Sequence, residues 1–282
     1  MKAFHEQETI KATYLARVRA HRAADELVKG TYWQNGKGCA VGCTVHSARH
    51  AAYEEELGIP RALARLEDAI FEWLPNGRAK AWPEEFLEAI GVGVDLAGVV
   101  DRFLLWLLSD PKDGVLQYVK DEGCRAAIAT VIGLYERRVR GESVRKEEWR
   151  SAYAAAYAAA ASSAAAAAYD AAYAAADAAY DAAAADDADD SSAADAAYAA
   201  DDAYDAATSA AAAAGTAAYA AATAADSSAA YAADDAADSS AAYAADDASS
   251  ADADAAAASS RENARVKQAD KLLELLRAAT RG

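Results

Sequence analysis

Ser-Ser-Ala-Ala-Tyr-Ala-Ala-Asp-Asp-Ala, at residues 227–236 and again at 239–248, typifies the tract that decides the shape of more than a third of this chain. Residues 151–260 contain 63 Ala, 19 Asp, 14 Ser and 10 Tyr, and no Lys, Arg, Glu, Leu, Ile, Val or Phe. Because alanine has the highest helix propensity, the composition predicts helix. Asp and Ser compete for backbone hydrogen bonds and favour helix N-termini, so their clusters are predicted helix starts.

The tyrosines of the tract argue against one straight rod. Tyr219, Tyr231 and Tyr243 are 12 residues apart. A helix turns by a net angle of about 120° over that interval, so these side chains would point in three directions. We therefore expect breaks that fold the tract into packed antiparallel segments, with tyrosines filling gaps where the segments cross.

The remainder of the chain predicts a conventional helical core. Residues 1–145 hold most of the Leu, Ile, Val, Phe and Trp, and amphipathic patterns there indicate six to eight packed helices. Residues 261–282 carry Val266, Leu272 and Leu276 on one face, which predicts a helix that docks on the N-terminal part. The sequence thus predicts an all-α protein with a globular domain (1–145), an acidic alanine-rich helical tract (146–260) and a docking helix (261–282).

The net charge of −17 comes from residues 151–260 of the tract, which have 19 Asp and no basic residue. Such a surface should repel nucleic acid and anionic membranes, so neither is an expected partner. The charge most simply keeps an alanine-rich scaffold soluble, and that scaffold could support a homo-oligomer. The alternative is an acidic rod that mimics nucleic acid and captures a basic protein.

Cysteine usage predicts a cytoplasmic protein. The chain has 3 Cys and no disulfide framework. Its N-terminus turns polar at once, unlike a signal peptide. The apolar stretch at 96–108 is interrupted by charge and too short to span a bilayer.

Cys39, Cys43, His46 and His50 form the one unusual polar cluster, on a helix predicted from Cys39 to Gly58. The spacing places them on one stripe, and thiolate and imidazole ligands favour zinc. The stripe would cover about 16 Å of helix rise, so only neighbouring members could share one ion. The competing interpretation is that both cysteines pack as small hydrophobes. No other cofactor is predicted.

Cys39 could instead be a catalytic nucleophile. It follows Gly36-Lys37-Gly38 at a predicted helix N-terminus, where the helix dipole and Lys37 would both favour a thiolate. The segment from Gln34 to Cys39 loosely resembles the oxyanion glutamine and cysteine of papain-like proteases. His46 or His21 would serve as the base of such a cysteine-dependent hydrolase.

The interpretation that we favour is non-catalytic binding of a small anionic, nucleotide-like ligand. Backbone amides at a helix start, a lysine and two aromatic rings suit a phosphate with a stacked base. The predicted ligand residues are Tyr32, Trp33, Gln34, Lys37, Gly38 and Cys39.

Two stretches carry a resemblance to a known group of proteins. Gly-Thr-Tyr-Trp-Gln-Asn-Gly-Lys-Gly-Cys-Ala-Val-Gly-Cys-Thr-Val-His at 30–46, with Gly-Ile-Pro-Arg-Ala-Leu-Ala-Arg-Leu-Glu-Asp at 58–68, resembles an uncharacterised family of bacterial and phage proteins. Its members also have an alanine-rich, tyrosine-spaced C-terminal region that ends in a leucine-bearing helix. The resemblance implies no established activity. A phage setting would favour counter-defence, by binding a host defence protein or sequestering a nucleotide signal.

Overall fold

The computed structural model describes residues 1–162, 175, 263 and 265–280, and within them it is all-α, as predicted. The predicted antiparallel segments of the tract and its nucleic-acid-mimicking surface lie almost entirely outside the described residues. The α-helices are α1 (Glu8–Ala23), α2 (Ala40–Val45), α3 (Arg61–Trp73), α4 (Asn76–Ala79), α5 (Trp82–Ala89), α6 (Val99–Ser109), α7 (Glu122–Val139), α8 (Lys146–Ser162) and a further helix at 265–277. Short 3-10 turns lie at Ala3–Glu6 and Val115–Tyr118, and a π-helical turn lies at Tyr53–Leu57.

Helices α6, α7 and α8 pack side by side and carry the C-terminal half of the core. Phe103 of α6 is fully buried, and the rings of Tyr135 on α7 and Trp149 on α8 lie 4.9 Å apart. Helix α8 continues into the first residues of the alanine-rich tract, where Ala152 and Ala156 are buried. In the part of the chain that the structure describes, every helix falls short of the length and apolarity needed to cross a membrane.

The helix at 265–277 lies against the N-terminal part of the chain. Its Leu272 and Leu276 are fully buried, as expected for the apolar face predicted from the sequence. Arg78 donates to Asp270 across 2.8 Å, and the backbone N–H of Asp95 donates to the Thr280 carbonyl across 3.0 Å. These contacts hold the C-terminal helix and the residues after it against the N-terminal part of the chain.

The continuous helix predicted from Cys39 to Gly58 is wrong. Helix α2 ends at His46, which adopts a left-handed conformation with φ of 52° and donates its N–H to the Gly42 carbonyl. The chain resumes helical structure only near residue 51 and ends it at Gly58, whose φ is 63°. The left-handed residue redirects the backbone, so the predicted stripe of cysteines and histidines does not exist.

A short hairpin that the sequence analysis did not predict precedes α2. Strands β1 (Trp33–Gln34) and β2 (Lys37–Gly38) pair through a turn in which Asn35 and Gly36 have φ of 53° and 81°. Asn-Gly with two positive φ angles is typical of the type I′ turn, whose twist matches that of paired strands.

The hairpin is fixed to α2 by the close approach of the Tyr32 carbonyl. The N–H of Cys39 donates to the Thr31 and Tyr32 carbonyls, at 2.7 and 3.2 Å. A Cβ atom added at Gly38 or Gly42 would lie 2.0 or 1.5 Å from the Tyr32 oxygen. Both positions therefore require glycine for reasons of space.

We expect Gly42→Ala to lower the free energy of unfolding by about 1–3 kcal/mol, because the new methyl group would force the Tyr32 carbonyl away from α2. The matched control is Gly133→Ala in α7, where an added Cβ meets nothing within 4 Å. That change should raise stability by about 1 kcal/mol through helix propensity. Urea unfolding of the two variants measures both effects, and equal stability of both would contradict the close approach.

Tyr53 and Glu67 are two buried polar side chains that lie near each other in the core. Both side chains are fully enclosed, and burial raises the pKa of each well above its usual range. The folded protein therefore holds a proton on the Glu67 carboxyl more tightly than the unfolded chain does. This residue accordingly lowers stability progressively as the pH rises above the ordinary value of about 4.5.

Replacement of Glu67 by Gln should accordingly raise the free energy of unfolding by about 1–3 kcal/mol at neutral pH. The gain should shrink as the pH falls toward the unfolded-state pKa, where the wild-type carboxyl is protonated in both states. Unfolding curves of the two proteins across this pH range test the sign. A destabilising, pH-independent effect would show that Glu67 is folded in its charged form.

Candidate functional site

Two polar clusters lie around the hairpin, and each contains one of its aromatic residues. We call Arg17, His21, Trp33 and His46 the Trp33 cluster, and Tyr32, Cys39, His50, Asp68 and Glu72 the Tyr32 cluster. Helix α2 connects them, because Cys39 is its N-cap and His46 its C-cap. Helix α1 supplies the remaining polar residues of the first cluster, and α3 supplies the carboxylates of the second.

The Trp33 cluster is built on a stacked pair of rings. Trp33 and His46 lie 4.4 Å apart with an interplanar angle of 13°, and His21 meets both of them edge-on. The Nε2 atoms of His21 and His46 are 2.8 Å apart, and Nδ1 of His21 lies 2.7 Å from a Glu26 oxygen. Glu26 therefore holds His21, and His21 shares a hydrogen bond with His46.

Charged groups of both signs lie around His46. Its pKa is lowered by partial burial first and then by Arg17 and His21, while the carboxylates of Glu56 and Glu26 act in the opposite direction. Arg17 is held in place because it donates to the Thr44 carbonyl across 2.7 Å and lies 4.7 Å from the centre of the Tyr14 ring. The result is a concentration of nitrogen donors beside two stacked rings.

The Tyr32 cluster brings a thiol and two carboxylates together. One ligand atom each from Cys39, Asp68 and Glu72 lies within 4.8 Å of the other two. Asp68 and Glu72 are four residues apart on α3 and so share a face of that helix. His50 joins this group through Nε2, which is 3.4 Å from Asp68 Oδ2, and the Tyr32 ring meets the His50 ring edge-on at 5.6 Å.

Burial disfavours the ionised forms of the thiol and carboxyl groups in this cluster. Cys39 is 1% exposed and Asp68 is 8% exposed. Glu72 accepts two contacts from the Gly30 N–H, at 3.1 and 2.9 Å, yet burial and the charge of Asp68 raise its pKa. Oδ1 of Asp68 is buried without a hydrogen-bond partner.

The surroundings of Cys39 oppose the thiolate that the sequence predicted. Burial, and next the negative charge of Asp68, raise its pKa far above the usual range. Lys37 is exposed, and its charge contributes to the lowered pKa of Asp25, which is due mainly to Lys80. Cys43 is no better placed, since burial raises its pKa to about 12.

The predicted ligand residues divide into an exposed and a buried set. Tyr32 is 48% exposed, and Gln34 and Lys37 are also exposed on the hairpin. Gly38 and Cys39 are buried, and their amides are engaged, since Gly38 donates to Glu26 O and Cys39 to Thr31 O. The backbone cradle for a phosphate that the sequence predicted is therefore already occupied by the protein's own carbonyls.

The four predicted metal ligands also separate. Cys39 and His50 lie in the Tyr32 cluster, and His46 lies in the Trp33 cluster. Cys43 is enclosed in the core, where its sulfur lies 3.3 Å from the Gly38 carbonyl. The sequence analysis missed Asp68 and Glu72, although two acids spaced for one face of a largely buried helix were the available signal.

A shallow groove of about 310 Å³ lies beside the hairpin. None of the six predicted ligand residues lines it; its walls are formed by Asp25, Leu27, Val28, Lys29, Phe71, Asn76, Ala79 and Lys80. Its two lysines are engaged with protein acceptors, Lys29 with the Leu74 carbonyl and Lys80 with Asp25. The convergent polar groups of this region lie in the two clusters instead.

Comparisons with protein-family models, with curated proteins and with solved structures each find no match to this chain. The resemblance to an uncharacterised bacterial and phage family thus stays a prediction, and the function rests on the geometry of the clusters.

Iodoacetamide should label Cys39 slowly in the native protein at about pH 7, because a buried thiol with a raised pKa supplies little thiolate. Cys43 and Cys124 are also buried and form no disulfide, so all 3 cysteines should react together only after unfolding. Mass spectrometry of native and denatured samples measures this difference. Rapid native labelling confined to Cys39 would restore the cysteine-dependent hydrolase as the better interpretation.

Proposed function

We propose that this protein is a non-catalytic binding protein that sequesters a small anionic ligand with an aromatic part, such as a nucleotide, at the Trp33 cluster. The observation that supports the proposal is the parallel stack of Trp33 and His46 beside Arg17 and His21. The proposed site differs from the one predicted from the sequence. It consists of the side chains of His46 and of residues on α1, rather than the backbone amides near Cys39.

The charge of the cluster suits an anion. A guanidinium and two imidazoles supply N–H donors of the kind that bind phosphate and carboxylate oxygens. In the free protein the positive charge of Arg17 helps to lower the pKa of His46. An anion between these groups would reverse that effect, raise the pKa of His46 and draw a proton onto it.

The rings of the cluster suit the aromatic part of the ligand. His46 is exposed although one face of its ring stacks on Trp33. Stacking of a nucleic-acid base on an aromatic side chain contributes about 1–3 kcal/mol. A nucleotide uses both features at once, whereas inorganic phosphate uses only the charge.

Sequestration fits this cluster better than turnover does. The Tyr14 hydroxyl donates to Glu56, the Thr44 hydroxyl donates to the Ala40 carbonyl, and Cys43 is enclosed. The cluster therefore offers donors and rings without a positioned nucleophile. In a phage setting, a protein of this kind would intercept a nucleotide signal of a host defence system.

Calorimetric titration with nucleoside monophosphates and with inorganic phosphate tests the proposal. We expect the nucleotides to bind more tightly than phosphate, and Kd to fall as the pH is lowered from about 8 to about 6, because binding takes up a proton at His46. Arg17→Ala or His46→Ala should each cost about 1.5–3 kcal/mol, which is roughly 10- to 100-fold in Kd. The nucleotide should be recovered intact.

The matched controls are Arg140→Ala and Lys37→Ala. Arg140 pairs with Glu142 at the end of α7, away from the hairpin, so its loss should leave Kd unchanged. Lys37 distinguishes the two versions of the site: a large loss with Lys37→Ala and none with Arg17→Ala would place the ligand on the hairpin turn. Absence of binding at either pH, or hydrolysis of the nucleotide, would overturn the proposal.

A further inference from the structure

We propose that Cys39, Asp68 and Glu72 bind one divalent transition-metal ion, of the zinc type, and that His50 positions Asp68 for this task. The site is distinct from the anion site, since it lies at the other end of α2 and uses none of the same side chains. It also differs from the four-residue set predicted from the sequence, with which it shares only Cys39 as a ligand.

The distances are close to those of a metal site. The three ligand atoms lie within 4.8 Å of one another. Ligands around zinc lie about 2.3 Å (sulfur) and about 2.0–2.2 Å (oxygen) from the ion, which places them about 3.5 Å from each other. Small rotations of the two carboxylate groups would bring their oxygens to this separation from the Cys39 sulfur, which is already fixed because Cys39 is the N-cap of α2.

The ligands come from elements that are held rigidly together. The Cys39 sulfur accepts the Gly42 N–H across 3.5 Å, and its thiol donates to the Tyr32 carbonyl. Asp68 and Glu72 stand one turn apart on α3, which packs against α2. A preformed arrangement of this kind lowers the conformational cost of binding an ion.

Burial of Asp68 is the second, independent observation. Its side chain is 11% exposed, and Oδ1 itself is buried without a hydrogen-bond partner. An enclosed carboxylate oxygen without a partner is unfavourable, and the Glu72 carboxyl lies beside it. His50 lies 3.4 Å from the other oxygen, Oδ2, so Oδ1 remains able to accept a cation.

The donor set selects the class of metal. A thiolate with carboxylates suits zinc and related transition ions, whereas Mg²⁺ and Ca²⁺ prefer oxygen ligands only. Carboxylates that bind a metal ion are themselves held by hydrogen bonds from surrounding residues, and His50 lies where it can do this for Asp68. His50 is therefore a positioning residue, and the exposed ring of Tyr32 covers it edge-on.

The experiment uses Co²⁺ as a spectroscopic probe on the full chain after treatment with EDTA. We expect one Co²⁺ per chain by native mass spectrometry, a thiolate-to-cobalt charge-transfer band, and displacement of both by Zn²⁺. Cys39→Ser should abolish the band, and Asp68→Asn or Glu72→Gln should remove tight binding. His50→Gln should keep the band but weaken affinity by about 10- to 100-fold.

Matched controls separate coordination from folding. Cys124→Ser and Glu67→Gln change a buried thiol and the carboxyl next to Asp68, and neither should alter the cobalt spectrum. Asp68→Asn should be about as stable as the metal-free wild type, because the amide keeps the shape of the carboxyl group, and Zn²⁺ should raise Tm only in the wild type and these controls. Nucleotide binding that survives in Cys39→Ser would show that the anion site stands independently. A chain that binds no Co²⁺, or a charge-transfer band that survives Cys39→Ser, would overturn the metal site.

Discussion

The carbonyl oxygen of Tyr32 is the contact on which both clusters depend. It accepts the N–H of Cys39 and lies where side chains at Gly38 and Gly42 would otherwise stand. This approach locks the hairpin to the start of α2, so the Tyr32 ring reaches His50 and the Trp33 ring reaches His46. Without it, the aromatic residues would have no fixed relation to the histidines and carboxylates around them.

The features of the fold that depend on local sequence signals could be predicted from the sequence. The all-α class follows from amphipathic periodicity, and α3 begins directly after Pro60, as its fixed φ favours. The hairpin was missed although Asn35-Gly36 is a strong turn signal, because its strands are only two residues long. The break at His46 had no glycine or proline to mark it, since the periodic pattern continues past that residue.

The site was predictable only in part, because its chemistry depends on contacts between distant segments. The sequence singled out the loop from Tyr32 to Cys39, but the side chains that the loop contacts come from α1 and α3 as well. His21 meets His46 across 25 residues of sequence, and such a pairing leaves no local pattern. Burial also reversed the expected behaviour of Cys39: a helix start favours a thiolate in isolation, but enclosure beside Asp68 opposes it.

Helix α2 is a short helix that connects the two clusters. Its six residues span about 9 Å, with Cys39 capping one end and His46 the other. Acidic side chains of α3 lie at the N-terminal end of α2, where they suit a cation, and His46 with the nitrogen donors of α1 lies at its C-terminal end, where they suit an anion. The close approach of the Tyr32 carbonyl to Gly38 and Gly42 fixes the hairpin against this helix, and therefore places Tyr32 beside one cluster and Trp33 beside the other.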